Sequence, residues 1–192
     1  NYKAALKNGM KIMEKRDIGS LGHTKEALFI EEGGRVKEAE FGLKILAEEI
    51  VQWKRDNAIS TLHVFLPSGT GTTALFLQKY LLEDCVYTTP CVGDEHYLRQ
   101  QFTLLEENKN HYPRIVSLDK KHHFGKLYKE NYKIWLELQQ QTGVEFDLLY
   151  DPLGWRALLS HPEILAKPVL YIHQGGLLGN ESMLPRYQRK YG

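Results

Sequence analysis

Short apolar runs alternate with longer amphipathic stretches along most of the chain, and that alternation is the first clue to its fold. Leu6 to Met13 is short and amphipathic, with Lys11-Ile12-Met13 a candidate strand start after Gly9, and Asp17 to Gly22 reads as a loop. Ala27-Leu28-Phe29-Ile30 is a brief apolar strand running into Glu31-Glu32-Gly33-Gly34. Lys37 to Trp53 then carries Phe41, Leu43, Ile45, Leu46, Ile50 and Trp53 at helical spacing. Thr61 to Pro67 is β-branched and aromatic, which suits a strand, and Ala74 to Leu82 is rich in helix formers. Val86 to Val92 follows as a strand, and Asp94 supplies a capping oxygen to a helix reaching Leu105. Ile115-Val116-Ser117 is a short strand, and Glu130 to Gln141 a helix stopped by Gly143. Phe146 to Tyr150 reads as a buried strand leaving at Asp151-Pro152, Trp155 to Leu159 as helix, and Val169 to His173 as a last, central strand ending at Gly175-Gly176. Strands alternating with helices predict an α/β fold: an open, mainly parallel sheet flanked by helices.

With 192 residues and 42% hydrophobic content, the chain can bury one sizeable core and part of a second lobe. The 25 basic and 24 acidic side chains leave a formal charge of +1, so no whole-molecule field points to nucleic acid or an anionic membrane, and any anion site must be local. Cys85 and Cys91 suit a reduced, cytoplasmic setting better than a disulfide scaffold. No run approaches the ~20 apolar residues of a membrane helix. The opening Asn1-Tyr2-Lys3-Ala4-Ala5-Leu6 reads as helix without a preceding cap, and the expectation is a chain that starts partway through a larger protein.

Ser68-Gly69-Thr70-Gly71-Thr72-Thr73 joins a strand to a helix and has the composition to wrap a phosphate. Glycines permit close backbone approach and positive φ, amides and hydroxyls donate, and the helix contributes its positive end. The turn fits neither common nucleotide fingerprint: Thr73 is followed by Ala74 where a P-loop needs lysine then Ser or Thr, and the third glycine of a dinucleotide turn is missing. A tight turn of small residues is the plain alternative.

Four segments in order resemble a known family: Glu31-Glu32-Gly33-Gly34 before a helix with Ala47-Glu48-Glu49-Ile50, the glycine-rich turn, Asp147-Leu148-Leu149-Tyr150-Asp151, and Tyr171-Ile172-His173-Gln174-Gly175-Gly176. They resemble the 1-aminocyclopropane-1-carboxylate deaminase and D-cysteine desulfhydrase family of pyridoxal 5'-phosphate (PLP) enzymes, fold type II, akin to tryptophan synthase β. The resemblance implies that Ser68, Gly69, Thr70, Gly71 and Thr72 surround the cofactor phosphate. It places Tyr150 beside the substrate and Asp151 at the pyridine nitrogen. A carboxylate there keeps the nitrogen protonated and strengthens the ring as an electron sink, and a phenol near the substrate can relay a proton.

Departures from the family's pattern qualify what the resemblance implies. After the Tyr-Asp pair the family usually has Gly-Lys, whereas here Pro152-Leu153 precede Gly154-Trp155, so the loop by the ring is expected to differ. A Tyr-Gly near the substrate in the deaminases corresponds to Phe124-Gly125, which weakens the case for ring opening of aminocyclopropane carboxylate. The family's catalytic lysine sits in Gly-Asn-Lys, and a Ser-Asn-His-like segment grips the substrate carboxylate; both precede the region this chain covers. The one Gly-Asn present, Gly179-Asn180, is followed by Glu181.

The remaining candidates read as structural. Adjacent His122 and His123, with His111, lack the spacing of a metal set and suit a solvated loop. Cys85 and Cys91 read as buried small hydrophobes, and Arg186, Arg189 and Lys190 as a solvated end. The expected organisation is residues 1–14 as a remnant of a smaller lobe and 15–192 as the large PLP-binding lobe. The resemblance implies a deaminase or lyase for a small amino acid, cytoplasmic and homodimeric, with this piece inactive alone. The alternative is a non-catalytic ligand-binding or interaction protein on the same fold.

Overall fold

The structure is a computed structural model and describes residues 2–12, 30–174 and 176–192. The chain divides into two compact units, Asn1–Glu31 and Glu32–Gly192. In the first, the described residues hold one short helix, α1 (Tyr2–Lys7). A lobe boundary near Glu14, the loop from Asp17 to Gly22, and the readings at Met13 and Ala27–Phe29 lie outside the described residues; Lys11 and Ile12 are described and are not in a strand.

The second unit is built on four parallel strands: β1 (His63–Ser68), β2 (Cys85–Pro90), β3 (Arg114–Ile115) and β4 (Val169–Tyr171), in the order β3-β2-β1-β4. Around them lie α2 (Ala39–Asp56), α3 (Thr72–Tyr80), α4 (Glu95–Thr103), α5 (Lys129–Thr142), α6 (Asp151–Leu159) and α7 (Asn180–Tyr191). The α/β fold with a parallel sheet is as the sequence predicts. β1 is buried on both faces, as a central parallel strand flanked by helices must be. Val64 and Leu66 face α2 and α3 with Ala47, Ile50 and Ala74, while Phe65 packs oppositely with Tyr87, Ala157 and Leu158.

The helices begin and end where local chemistry says they should. The Asp94 carboxylate accepts from the Tyr97 amide at 3.0 Å and caps α4. Gly143 terminates α5 in the left-handed region at φ 68°. Lys54 on α2 reaches both oxygens of Asp84 at 2.7 Å, and Asp84 also accepts from the Leu62 amide at 2.9 Å, which ties α2 to the entries of β1 and β2.

Three expectations are corrected. Phe146 to Tyr150 is buried over its first three residues but forms no strand, because side chains occupy its backbone groups. Asp147 accepts from Leu149 and Tyr150, Asn180 accepts from Leu148 and donates to the Phe146 carbonyl, and Trp135 donates to the same carbonyl. The helix read from Trp155 begins instead at Asp151, with Pro152 in its first turn where its missing N–H costs nothing. Among the described residues β4 pairs only with β1, so it is an edge strand rather than a central one. Arg186, Arg189 and Lys190 are solvated as expected, on the exposed side of α7, whose other side buries Met183 and Tyr187.

Candidate active site

The turn after β1 is held from below by a chain of hydroxyls. Thr88 on β2 donates to the Leu66 carbonyl at 2.9 Å, so its oxygen accepts from Ser68 Oγ at 2.6 Å. The Ser68 proton is thereby turned inward, and its contribution to the turn is to hold it on β2, where the Cys91 amide also donates to the Ser68 carbonyl at 2.8 Å. Gly71 follows at φ 76° and begins α3; a Cβ there would sit 2.5 Å from a Phe102 ring carbon. That position admits only glycine without rearrangement.

Above the turn lies a cavity of about 210 Å³, whose walls include Gly33, Ser68 through Thr73, Tyr150 and Gln174. Thr70 Oγ1 donates to the Gly33 carbonyl at 3.3 Å and lies 3.1 Å from Thr72 Oγ1. A Cβ on Gly33 would overlap Thr70, and one on Gly69 would come within 3.4 Å of the Tyr150 hydroxyl. Bare glycine backbone, two threonine hydroxyls and the first amides of α3 therefore converge on one space. This is the donor set that a phosphate requires.

Tyr150 closes the far side. Its ring packs against Phe124 with centroids 5.1 Å apart, so the Phe-Gly pair does lie beside this tyrosine. Burial first, then the charges of Cys91, Asp147 and Glu32, push the Tyr150 phenol above its ordinary value, so at neutral pH it keeps its proton.

Asp151 is placed differently. It is fully buried and does not line the cavity. Its Oδ1 accepts from the Tyr171 hydroxyl at 2.8 Å and its Oδ2 from the Asp147 amide at 3.2 Å, while Asp147 in return accepts from the Asp151 amide at 3.1 Å. Burial, then the Asp147 charge and hydrogen bond, raise the Asp151 carboxyl to about 7 against the pull of Tyr171 and His173. A Cβ on Gly154 would strike the Tyr171 hydroxyl and Pro67, which is the physical reason for glycine at this departure from the family pattern.

Two residues escaped sequence reasoning. Gln174 lines the cavity and donates to the Pro67 carbonyl at 3.0 Å, fixing its amide beside the turn; its place next to the conspicuous glycine pair is the only hint in the sequence. Asn180 latches the segment that carries Tyr150, and nothing local to Asn180 reveals that. His122 also differs from expectation: it is half-buried, packed at a tilt against Tyr128 with centroids 4.3 Å apart, rather than solvated. Cys91 is buried and burial raises its thiol well above normal, so it is no nucleophile; Cys85 is only half-buried. Among the described residues no group of three or more His, Cys, Asp or Glu is placed to hold a metal ion, and no helix is long and apolar enough to cross a membrane.

The second unit is thus a parallel α/β lobe with a glycine-rich turn at the carboxyl end of β1. No family model matches the chain. It is 26% identical over 201 aligned positions to a putative D-cysteine desulfhydrase 2, mitochondrial, of Oryza sativa subsp. japonica, covering 91% of this chain and 48% of the relative, so the chain spans about half that protein's length. Its fold matches the crystal structure of an ACC deaminase homologue with a TM-score of 0.65 at 18% identity, over 81% of this chain and 52% of the other. The chain is thus similar in sequence to a putative D-cysteine desulfhydrase and shares its fold with an ACC deaminase homologue.

Proposed function

We propose that this chain supplies the cofactor-phosphate cradle and the proton-donating tyrosine of a PLP-dependent lyase or deaminase acting on a small amino acid. The observation that carries the reading is the convergence of the Ser68–Thr72 turn and Tyr150 on one cavity. PLP would be held at its phosphate by the amides of Gly69 through Thr73 and the hydroxyl of Thr72, with Ser68 and Thr70 anchoring the turn. When bound, the cofactor supplies an electron sink for bond cleavage at the substrate's α-carbon. Tyr150, protonated at neutral pH, would deliver a proton to the leaving side of the substrate. Asp151 would act from behind the cavity wall, its charge state governing the field on the ring and, through Tyr171 and the paired Asp147, the pose of Tyr150.

Phe124 in place of a second phenol favours a D-cysteine-like substrate over aminocyclopropane carboxylate. For the covalent anchor we look outside these 192 residues, since no lysine here stands in Gly-Asn-Lys. The assembly is proposed as a homodimer, and the two unpaired thiols suit a reducing compartment such as the cytoplasm.

The test is PLP titration followed by cofactor absorbance and borohydride trapping, with the trapped lysine mapped, on this chain and on its longest natural form. Expected are saturable PLP binding by the chain, weakened at least tenfold in Thr72→Val, and a trapped lysine in the longer form only. Absence of PLP binding in both forms would sink the reading and leave a non-catalytic member of the fold.

A further inference from the structure

A second cavity, of about 210 Å³, opens at the carboxyl ends of β2 and β3, with Thr89, Asp94, Ser117, Lys120, Lys121 and His122 among its walls. Strand register sets Thr89 opposite Pro67 and Pro90 opposite Ser68, so this cavity neighbours the turn cavity along the same sheet edge. Leu153 of α6 also faces it, one helical turn after Tyr150.

Two bonds in series fix the chemistry of His122. Arg156 Nη1 donates to Asn131 Oδ1 at 2.6 Å, and a guanidinium has no acceptor, so it is the amide oxygen of Asn131 that faces Arg156. The Asn131 amide nitrogen therefore faces His122 Nε2, at 2.9 Å. An amide nitrogen only donates, so Nε2 accepts and the single proton of the neutral ring sits on Nδ1. Asn131 is buried, which shields the arrangement from water. Burial first, then the charges of Arg156 and His123, lower the ring's pKa to about 4 and keep it neutral at pH 7.

The Nδ1 atom is buried and has no hydrogen-bond partner. A buried donor without an acceptor is unfavourable and invites one. Lys120 and Lys121 on the same wall outnumber Asp94, whose Oδ1 already caps α4. A neutral donor with a fixed tautomer, backed by two ammonium groups, is complementary to a carboxylate.

We propose that this cavity binds a carboxylate, hydrogen-bonded to His122 Nδ1 and paired with Lys120 or Lys121. The carboxylate belongs either to a free small acid or, where the amino acid held at the proposed site is dicarboxylic rather than D-cysteine-like, to its side chain. The assay follows the His122 ring nitrogens by NMR while succinate is added to the chain alone, and while glutamate is added with PLP. Expected is a saturable change at His122 that weakens at least tenfold in the Lys120→Met/Lys121→Met variant, whose two changes are at exposed positions; a response to succinate persists in Thr72→Val, and one that needs PLP is lost there. A response to succinate identifies a free acid site; a response to glutamate only with PLP identifies the substrate's distal end. No saturable change with either, or equal affinity in the lysine variant, overturns the proposal. PLP binding at the turn is read separately by absorbance, so failure here and failure of the functional reading are distinguishable.

Discussion

Gly71 shows how much of the turn is decided by a missing side chain. Its φ of 76° lies where L-residues are strained, and its Cβ position is already occupied by the Phe102 ring. Gly71→Ala should therefore lower stability by about 1–3 kcal/mol, through strain and overpacking together. Chemical denaturation measures this; a loss below a few tenths would mean that α3 and Phe102 adjust freely. The glycine's importance was legible in the sequence, as were the threonines beside it. The inward turn of the Ser68 hydroxyl was not, because it depends on Thr88, which reaches it only through strand register. Asp151 was legible as a residue of interest, yet its burial behind the cavity wall follows from Tyr171 and Asp147, partners that spacing alone does not select.

At the level of elements, the strands and helices with a clear period came out close to their predicted places, from the helix after Lys37 to the one stopped by Gly143. Phe146 to Tyr150 did not, and the reason is general. A short apolar run announces burial but not what its amides will bond to. Here Asn180 and Asp147 serve as the neighbouring strand would. Between elements one buried polar tie is the Lys54–Asp84 pair, with both side chains nearly inaccessible. Asp84→Ala would strand the ammonium and orphan the Leu62 amide, and should cost about 3–5 kcal/mol. Lys54→Met/Asp84→Ala together should recover part of that loss in the same denaturation experiment. If the double variant were no more stable than Asp84→Ala, the stranded-charge account would be wrong.

Across the whole unit, buried Asp151 and half-buried His122 set opposing pH slopes. The Asp151 carboxyl is raised, so the folded state holds that proton more tightly; the associated stability is full below about 3.8 and is lost as pH climbs to about 7. His122 is lowered, so its associated stability is full above 6.5 and is lost as pH falls to about 4. Between pH 4 and 6.5 the two slopes oppose each other. Asp151→Asn should leave stability rising with pH across that window, and His122→Phe should leave it falling. Unfolding free energies at pH 4, 5, 6 and 7 decide the matter, and variants that parallel the parent protein would refute both assignments.

The cavity draws its near wall from Ser68–Thr73 and its far wall from Tyr150 and Gln174, stretches widely separated along the chain. During synthesis the turn is made early but stays an open connection between β1 and α3. It gains its roof only after the later segments have been translated and folded back. A phosphate-bearing ligand that needs both walls consequently recognises finished molecules and ignores nascent ones, and by mass action it rewards completion of the fold with added stability.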